Sequence, residues 1–296
     1  MQEAEIIPPT PPGTEASPRG KFDGVLLASD YDDTFYDRTF TISPENRAAV
    51  ERFIAEGGRF AISTGRSLVN FAIQMEVEKP PVNAPVILSN GAEIYDFAAG
   101  RTLWKRTLPL TAADCLEEVC AALPALGFEA YHGEEVYTFR ANSATQRHLK
   151  RCRLTGIPAE IRDMPAPWDK VILQHDDTAL LQQAEDLIRA RWTAFEVTFS
   201  NPTLLEMTAR GANKGFCVRW LAEYLGIAPE HIYCVGNGIN DIPMLAVSAI
   251  PFAPADSYQE VKDWGATLLP PCNESCVARL VEILEGRYGD SGSGTL

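Results

Sequence analysis

Apolar and polar positions alternate along this chain in two distinct patterns. Val25-Leu26-Leu27-Ala28 is a short apolar run that breaks into polar residues at Ser29-Asp30, the signature of a parallel strand buried on both faces. Ser43-Pro44-Glu45 opens a helix, with Ser43 as N-cap and Pro44 at its first position, and Gly57-Gly58 stops it. Residues 60–63 read as a second strand and 86–88 as a third. Strands alternating with helices predict parallel βαβ units.

The pattern changes in the middle. Short alternating stretches at 102–106, 128–131, 136–139, 171–174, 195–198 and 204–207 surround helical segments near 112–123 and 179–190. That mixture predicts an α+β module with a partly antiparallel sheet. After Asn213 the first pattern resumes, with a helix to 225, a strand at 232–235, a helix at 241–247 and a strand at 248–252. The expectation is an α/β core with helices on both faces of a parallel sheet, made of residues 21–92 and 209–296 and interrupted by an inserted module over 93–208. Residues 1–20, with Pro8, Pro9, Pro11, Pro12 and Pro18, are expected to be a disordered tail, and so is the Gly/Ser-rich stretch 289–296.

Composition narrows the function. A net charge of −14 argues against a nucleic-acid or anionic-membrane surface. No run approaches the length of a membrane span, and the acidic amino terminus is not a signal peptide. His132, His148, His175 and His231 are too scattered to suggest a zinc cluster. Seven cysteines with no CxxC pair read as free thiols in a reducing compartment, so a cytoplasmic location is expected. Oligomeric state is not encoded in any visible pattern.

The chemistry begins at Asp30-Tyr31-Asp32-Asp33-Thr34, where three carboxylates crowd the carboxyl end of the first strand. Ligands bind at that edge of an open α/β sheet, and like charges there call for a cation. A divalent metal at Asp30 and Asp32 is one reading, and an acidic turn that caps the next element is the other. Ser63-Thr64-Gly65-Arg66 follows the second strand and offers a hydroxyl and close backbone approach for a phosphate, or simply a strand-to-helix turn. Lys214 opens a helix, where a cation is unfavourable unless it has an anionic partner or faces solvent. Gly236-Asn237-Gly238-Ile239-Asn240-Asp241 follows the strand at 232–235 and places amides and a carboxylate at the same edge, or forms a plain helix-capping turn.

In this order and at these positions, the segments resemble the haloacid dehalogenase superfamily, most nearly its Cof-type, sucrose-phosphatase-like branch. Ser89-Asn90-Gly91-Ala92 and Pro243-Met244-Leu245 add to the match, which runs from Lys21 to Leu284 and is thinnest in the middle. The resemblance implies a Rossmann-like core with an inserted α/β cap over the active site. It implies Mg²⁺-dependent hydrolysis of a small phosphorylated metabolite, a sugar phosphate among the candidates, through an aspartyl phosphate. Asp30 is then the nucleophile and Asp32 the general acid/base. Asp30, the carbonyl of Asp32, Asn237 and Asp241 surround the metal, with Asp241 alternatively orienting Lys214. Thr64, Lys214, Asn240 and the amides of Tyr31 and Gly65 hold phosphoryl oxygens, and Arg66 and Asn90 face the substrate. On the cap, His132, Arg140, Trp168 and Lys170 are candidates for substrate contact.

Asp32 favours phosphate chemistry over dehalogenation, because an alkoxide leaving group needs an acid and a halide does not. Two positions depart from the family pattern. Asn237 stands where a metal-binding aspartate is usual, and Asp33 stands where glycine is usual. Asn237 brings in a second reading, a catalytically weakened protein that binds a phosphorylated ligand.

Overall fold

The computed structural model describes residues 20–289. The expected tail lies outside the described residues except for Gly20, and so does the carboxyl-terminal stretch from 290. Gly289, expected in that stretch, instead ends a helix.

The chain starts with strand β1 (Leu26–Ser29), helix α1 (Pro44–Ala55), β2 (Arg59–Ile62), α2 (Leu68–Val77) and β3 (Val86–Leu88). Ser43 caps α1 by accepting from the Asn46 amide, as the Ser-Pro-Glu signature requires. An antiparallel ribbon follows, β4 (Glu93–Asp96) and β5 (Arg101–Lys105), paired to β3. The middle segment holds α3 (Ala112–Ala122), β6 (Gly127–His132), β7 (Glu135–Phe139), α4 (Ser143–Cys152) and β8 (Gly156–Pro158). It continues with β9 (Lys170–Gln174), α5 (Thr178–Arg191), β10 (Phe195–Asn201) and β11 (Leu204–Ala209). The chain then returns through α6 (Lys214–Leu225), β12 (Ile232–Val235), α7 (Ile242–Leu245), β13 (Ile250–Pro254), α8 (Gln259–Trp264), β14 (Thr267–Leu269) and α9 (Cys276–Gly289).

Five parallel strands lie in the order β14-β13-β12-β1-β2. The strand order turns back at β1, which has β2 on one side and β12 on the other. A crevice at the carboxyl ends follows from that reversal. All four residues of β1 are buried, because α1 and α9 cover one face and α6 the other. Helix α9 buries Val277, Leu280, Val281 and Leu284, one helical stripe, against α1.

Six strands from residues 127–209 form a second sheet, β10-β11-β9-β6-β7-β8, antiparallel except for β7 with β8. Side chains alternate across it. Phe128, Val171, Leu173, Leu205 and Met207 pack under α3 and α5. The intervening positions, Glu129, Tyr131, Lys170, Gln174 and Glu206, stand on the opposite face, and all are buried. That face meets the carboxyl edge of the parallel sheet, since Lys170 on β9 donates to the Gly65 carbonyl at 2.6 Å. Trp168 belongs to the apolar layer, 6.5 Å from Phe128, and Arg140 is spent on the Cys120 and Pro124 carbonyls.

Candidate active site

Strand β1 ends at Ser29, and the Asp30 amide still bonds to the Val235 carbonyl on β12. The chain then leaves the sheet and bends at Asp33, whose φ of +57° is left-handed. Aspartate tolerates that conformation, so it can stand where the resemblance leads one to expect glycine. The turn leaves the Asp30 carboxylate buried in the crevice.

Two segments far along the chain meet it. Asn213 caps α6 by accepting from the Phe216 amide, which sets Lys214 on the first turn. The Lys214 ammonium is wholly buried and donates to Asp30 Oδ1 and Asp241 Oδ1, each at 2.6 Å. The unfavourable helix end is thus offset by two anions. The other oxygen of Asp241 accepts from the amides of Asn237 and Gly238 at 2.9 and 2.8 Å. Position 236 must be glycine for this fold-back, because a Cβ there would lie 2.5 Å from the Asp241 carboxyl carbon.

Two buried carboxylates therefore share one ammonium. Burial and the Asp241 charge push the Asp30 carboxyl up to about 8, against the opposing pull of Lys214. The rise marks the cost of a second negative charge there, which a further cation would offset. Asp30, Asp32 and Asn237 line one cavity. Among the described residues, no three His, Cys, Asp or Glu side chains converge as metal ligands. An all-oxygen set with so few protein ligands fits a hard divalent ion that keeps much of its water.

The segment after β2 supplies the facing wall. Thr64 is buried, with its amide on the Ile87 carbonyl and its hydroxyl accepting from the Arg66 amide at 3.1 Å. Arg66 turns back to Asp32, with Nε 2.8 Å from Oδ2 and Nη2 2.6 Å from Oδ1, while Nη1 donates to Asn70 Oδ1 at 2.8 Å. Burial raises the Asp32 carboxyl, but the Arg66 bonds and charge outweigh it and hold the group below its usual range. Asn90 accepts from Asn240 at 3.0 Å, and its own amide nitrogen is buried without a partner among the described residues.

The cavity has a volume of about 340 Å³. Asp30, Asp32, Gly65, Arg66, Asn237 and Asn240 line its lower side. Thr64, Lys214, Asn90 and Asp241 are buried in and around that wall, and the Tyr31 ring is buried against Tyr36 and Phe71. Across the cavity stand Tyr131, His148, Cys152, Lys170 and Glu206 from the second sheet and α4. Of the four middle-segment residues suggested by sequence for substrate contact, Lys170 alone lines the cavity.

Sequence reasoning missed one cluster here. His148 and Cys152, one helical turn apart on α4, place Nε2 and Sγ 3.4 Å from each other. The other ring nitrogen of His148 faces both Glu129 oxygens at 3.0 and 2.9 Å. The i, i+4 spacing was the available signal.

The model of the haloacid dehalogenase-like hydrolases matches residues 27–281. A 5-amino-6-(5-phospho-D-ribitylamino)uracil phosphatase of Bacillus subtilis, YcsE, is 26% identical over 256 residues, 86% of this chain and 94% of its own. An HMP-PP phosphatase of Serratia proteamaculans is 24% identical over 273 residues, 87% of this chain and 94% of its own. A crystal structure of a haloacid dehalogenase-like hydrolase from Bacteroides thetaiotaomicron superposes with a TM-score of 0.75 at 22% identity, covering 88% of this chain and 99% of that one.

Proposed function

The chain belongs to the haloacid dehalogenase-like hydrolase family, and from that premise we propose that it hydrolyses a small phosphate monoester. The observation that carries the proposal is the buried Lys214 ammonium 2.6 Å from both Asp30 and Asp241, with Asp32 on the same cavity. Two relatives named as phosphatases of phosphorylated small molecules support the substrate class.

In this reading Asp30 attacks phosphorus and forms an aspartyl phosphate as the ester bond breaks. Asp32 gives its proton to the departing alkoxide and later takes one from the attacking water, whose attack on phosphorus releases Asp30 as carboxylate. Lys214 offsets the charge gathered on Asp30 and the phosphoryl group. Thr64, Asn240 and the amides of Tyr31 and Gly65 position phosphoryl oxygens, and Asn90 and Arg66 meet the substrate. Asp241, with one oxygen on Lys214 and the other on two amides, positions the lysine. Mg²⁺, when held by Asp30, the Asp32 carbonyl and Asn237, neutralises charge on the transferring group. The sheet β6–β11 serves as the cap, and residues 21–92 and 209–289 as the core.

The test is hydrolysis of p-nitrophenyl phosphate and a broad panel of phosphorylated metabolites in Mg²⁺, with Asp30→Asn as the reference. Turnover that vanishes in the variant is expected. A panel with no turnover above Asp30→Asn overturns the enzyme reading. Asn237 favours the alternative, a phospho-ligand binder. Calorimetry that detects tight binding without consumption would select it.

A further inference from the structure

The cluster facing the proposed catalytic residues has a chemistry of its own. Glu129 on β6 is fully buried and takes hydrogen bonds from Tyr131 Oη at 2.7 Å, from Gln174 Nε2 at 2.8 Å and from His148. A carboxylate so enclosed fixes the His148 ring and favours its imidazolium. The other ring nitrogen is then a donor aimed at the Cys152 sulfur, 3.4 Å away. The arrangement of a thiol, an imidazole and a carboxylate in hydrogen-bonded series is that of an activated sulfur nucleophile.

Cys152 also differs from the other cysteines. Six of the seven are buried, and Cys152 alone is partly exposed and lines the cavity. Burial pushes the Cys115 and Cys120 thiols up to about 12 and about 11. It also acts on Cys152, but there His148 and then Arg66 outweigh burial and hold the thiol below its ordinary value. Cys152 ends α4, where the helix dipole opposes an anion, so the imidazolium must carry the stabilisation. Other titratable groups surround the pair: Glu129 and the neutral Tyr131 from β6, Asp32 from the turn after β1, itself clamped by Arg66, and Arg151, Lys170 and Glu206 on the same cavity. Ser67 lines the same cavity, and its hydroxyl is buried with no hydrogen-bond partner among the described residues. Three residues further along, Asn70 donates to the Cys152 carbonyl at 3.3 Å.

We propose that Cys152 is a thiolate site for oxidation by peroxide, and that its oxidation blocks the catalytic cavity. The thiolate sulfur attacks one peroxide oxygen, an S–O bond forms and the O–O bond breaks. The leaving hydroxide takes the His148 proton and departs as water. Sulfur loses two electrons and peroxide gains them, leaving a sulfenic acid. A small-molecule thiol such as glutathione condenses with it to a mixed disulfide and water, and a second thiol restores Cys152. The oxygen, and still more the mixed disulfide, occupies space in a cavity of about 340 Å³ that Asp30 and Asp32 share.

The blocking step rests on the phosphatase reading; the thiolate does not. The first experiment maps iodoacetamide labelling of the full chain by peptide mass spectrometry at pH 6, 7 and 8. Cys152 is expected to label at least about tenfold faster than the other six at pH 7, with a rate constant that rises far less across the range than a free thiol's. An unperturbed thiol rises roughly 70-fold over that range. His148→Gln is expected to bring that steep rise back. Labelling of Cys152 that is no faster than the rest, or that rises as steeply as a free thiol, overturns the proposal. The second experiment treats the protein with hydrogen peroxide and traps sulfenic acid with dimedone. Trapping at Cys152, with hydrolysis falling at least about fivefold and returning with dithiothreitol, supports the proposal. In Cys152→Ala, hydrolysis compared with its own untreated value is expected to hold. An equal loss in that variant, or no trapping at Cys152, overturns it. If the untreated protein hydrolyses nothing, the phosphatase reading falls while trapping still decides whether Cys152 is oxidised.

Discussion

Arg66 grips both oxygens of Asp32, at 2.8 and 2.6 Å, and so holds ionised the group that the proposed mechanism needs protonated. Hydrolysis by an acid-bearing Asp32 falls as pH rises through its pKa. Removing Arg66 raises that pKa, so the alkaline limb moves to higher pH. Arg66→Gln is expected to move it by about one to three pH units on an alkyl phosphate. The p-nitrophenyl ester, with a leaving group that needs no acid, should show a much smaller movement. Equal behaviour of the two esters would remove Asp32 from the acid role.

Among the described residues, Lys214 is the sole cation bonded to the two buried carboxylates Asp30 and Asp241, so its loss should cost more than the loss of an ordinary ion pair. Lys214→Met is expected to lower unfolding free energy by about 3–5 kcal/mol, read from urea titration. Adding Asp30→Asn removes one orphaned charge and should return part of that loss, a non-additivity of about 0.5–3 kcal/mol.

Asn237→Asp keeps an oxygen for the Thr34 hydroxyl, now 3.2 Å from Asn237 Oδ1, but adds a carboxylate beside Asp30 and Asp241. The sign of the effect then depends on the metal. Without Mg²⁺ the variant should melt lower than the native chain. With Mg²⁺ the ion should bind roughly tenfold to a hundredfold more tightly, ~1.4–2.8 kcal/mol, measured by calorimetry. An unchanged affinity would place the metal away from position 237.

The His148–Cys152 pair makes stability depend on pH in a definite shape. Burial lowers the His148 imidazole, but Cys152 and Glu129 outweigh it and lift the group from 6.5 to about 10. Its contribution is full below pH 6.5 and is lost as pH rises through about 10. The lowered Cys152 contributes fully above its ordinary 9.0 and loses that contribution as pH falls. Below pH 9.0 the two slopes oppose each other wherever both groups titrate, and above it the decline from His148 stands alone. In Cys152→Ala the opposition goes, and unfolding free energy should fall from pH 6.5 upward, by up to ~1.4 kcal/mol per pH unit.

Local chemistry made much of this molecule readable in advance. The apolar run of β1 ending in Asp30, the Ser43-Pro44 cap and the Gly236–Asp241 turn each act through near neighbours, and each forms where its pattern places it. Helix α4 was hidden because it buries only Ala144 and Thr145 and so shows no apolar stripe. Glu129, Lys170 and Glu206 sit in strands whose alternation suggests one wet face. That face is dry only because another layer covers it, and no strand carries that information in its own residues. The clamp of Arg66 on Asp32 joins side chains 34 residues apart, and no local pattern announces it.

The bond between Asp30 and Lys214 spans 184 residues. A ribosome adding about 5–20 residues per second exposes the aspartate roughly 10–40 s before its lysine exists. Through that interval β1 also lacks β12, its partner on one whole edge. A newborn chain thus carries an apolar strand with one edge unpaired and an unbalanced carboxylate at its tip, a ready template for pairing with another copy. Fragments that stop short of Lys214 are expected to aggregate or to load onto chaperones during synthesis, and the full chain to escape both.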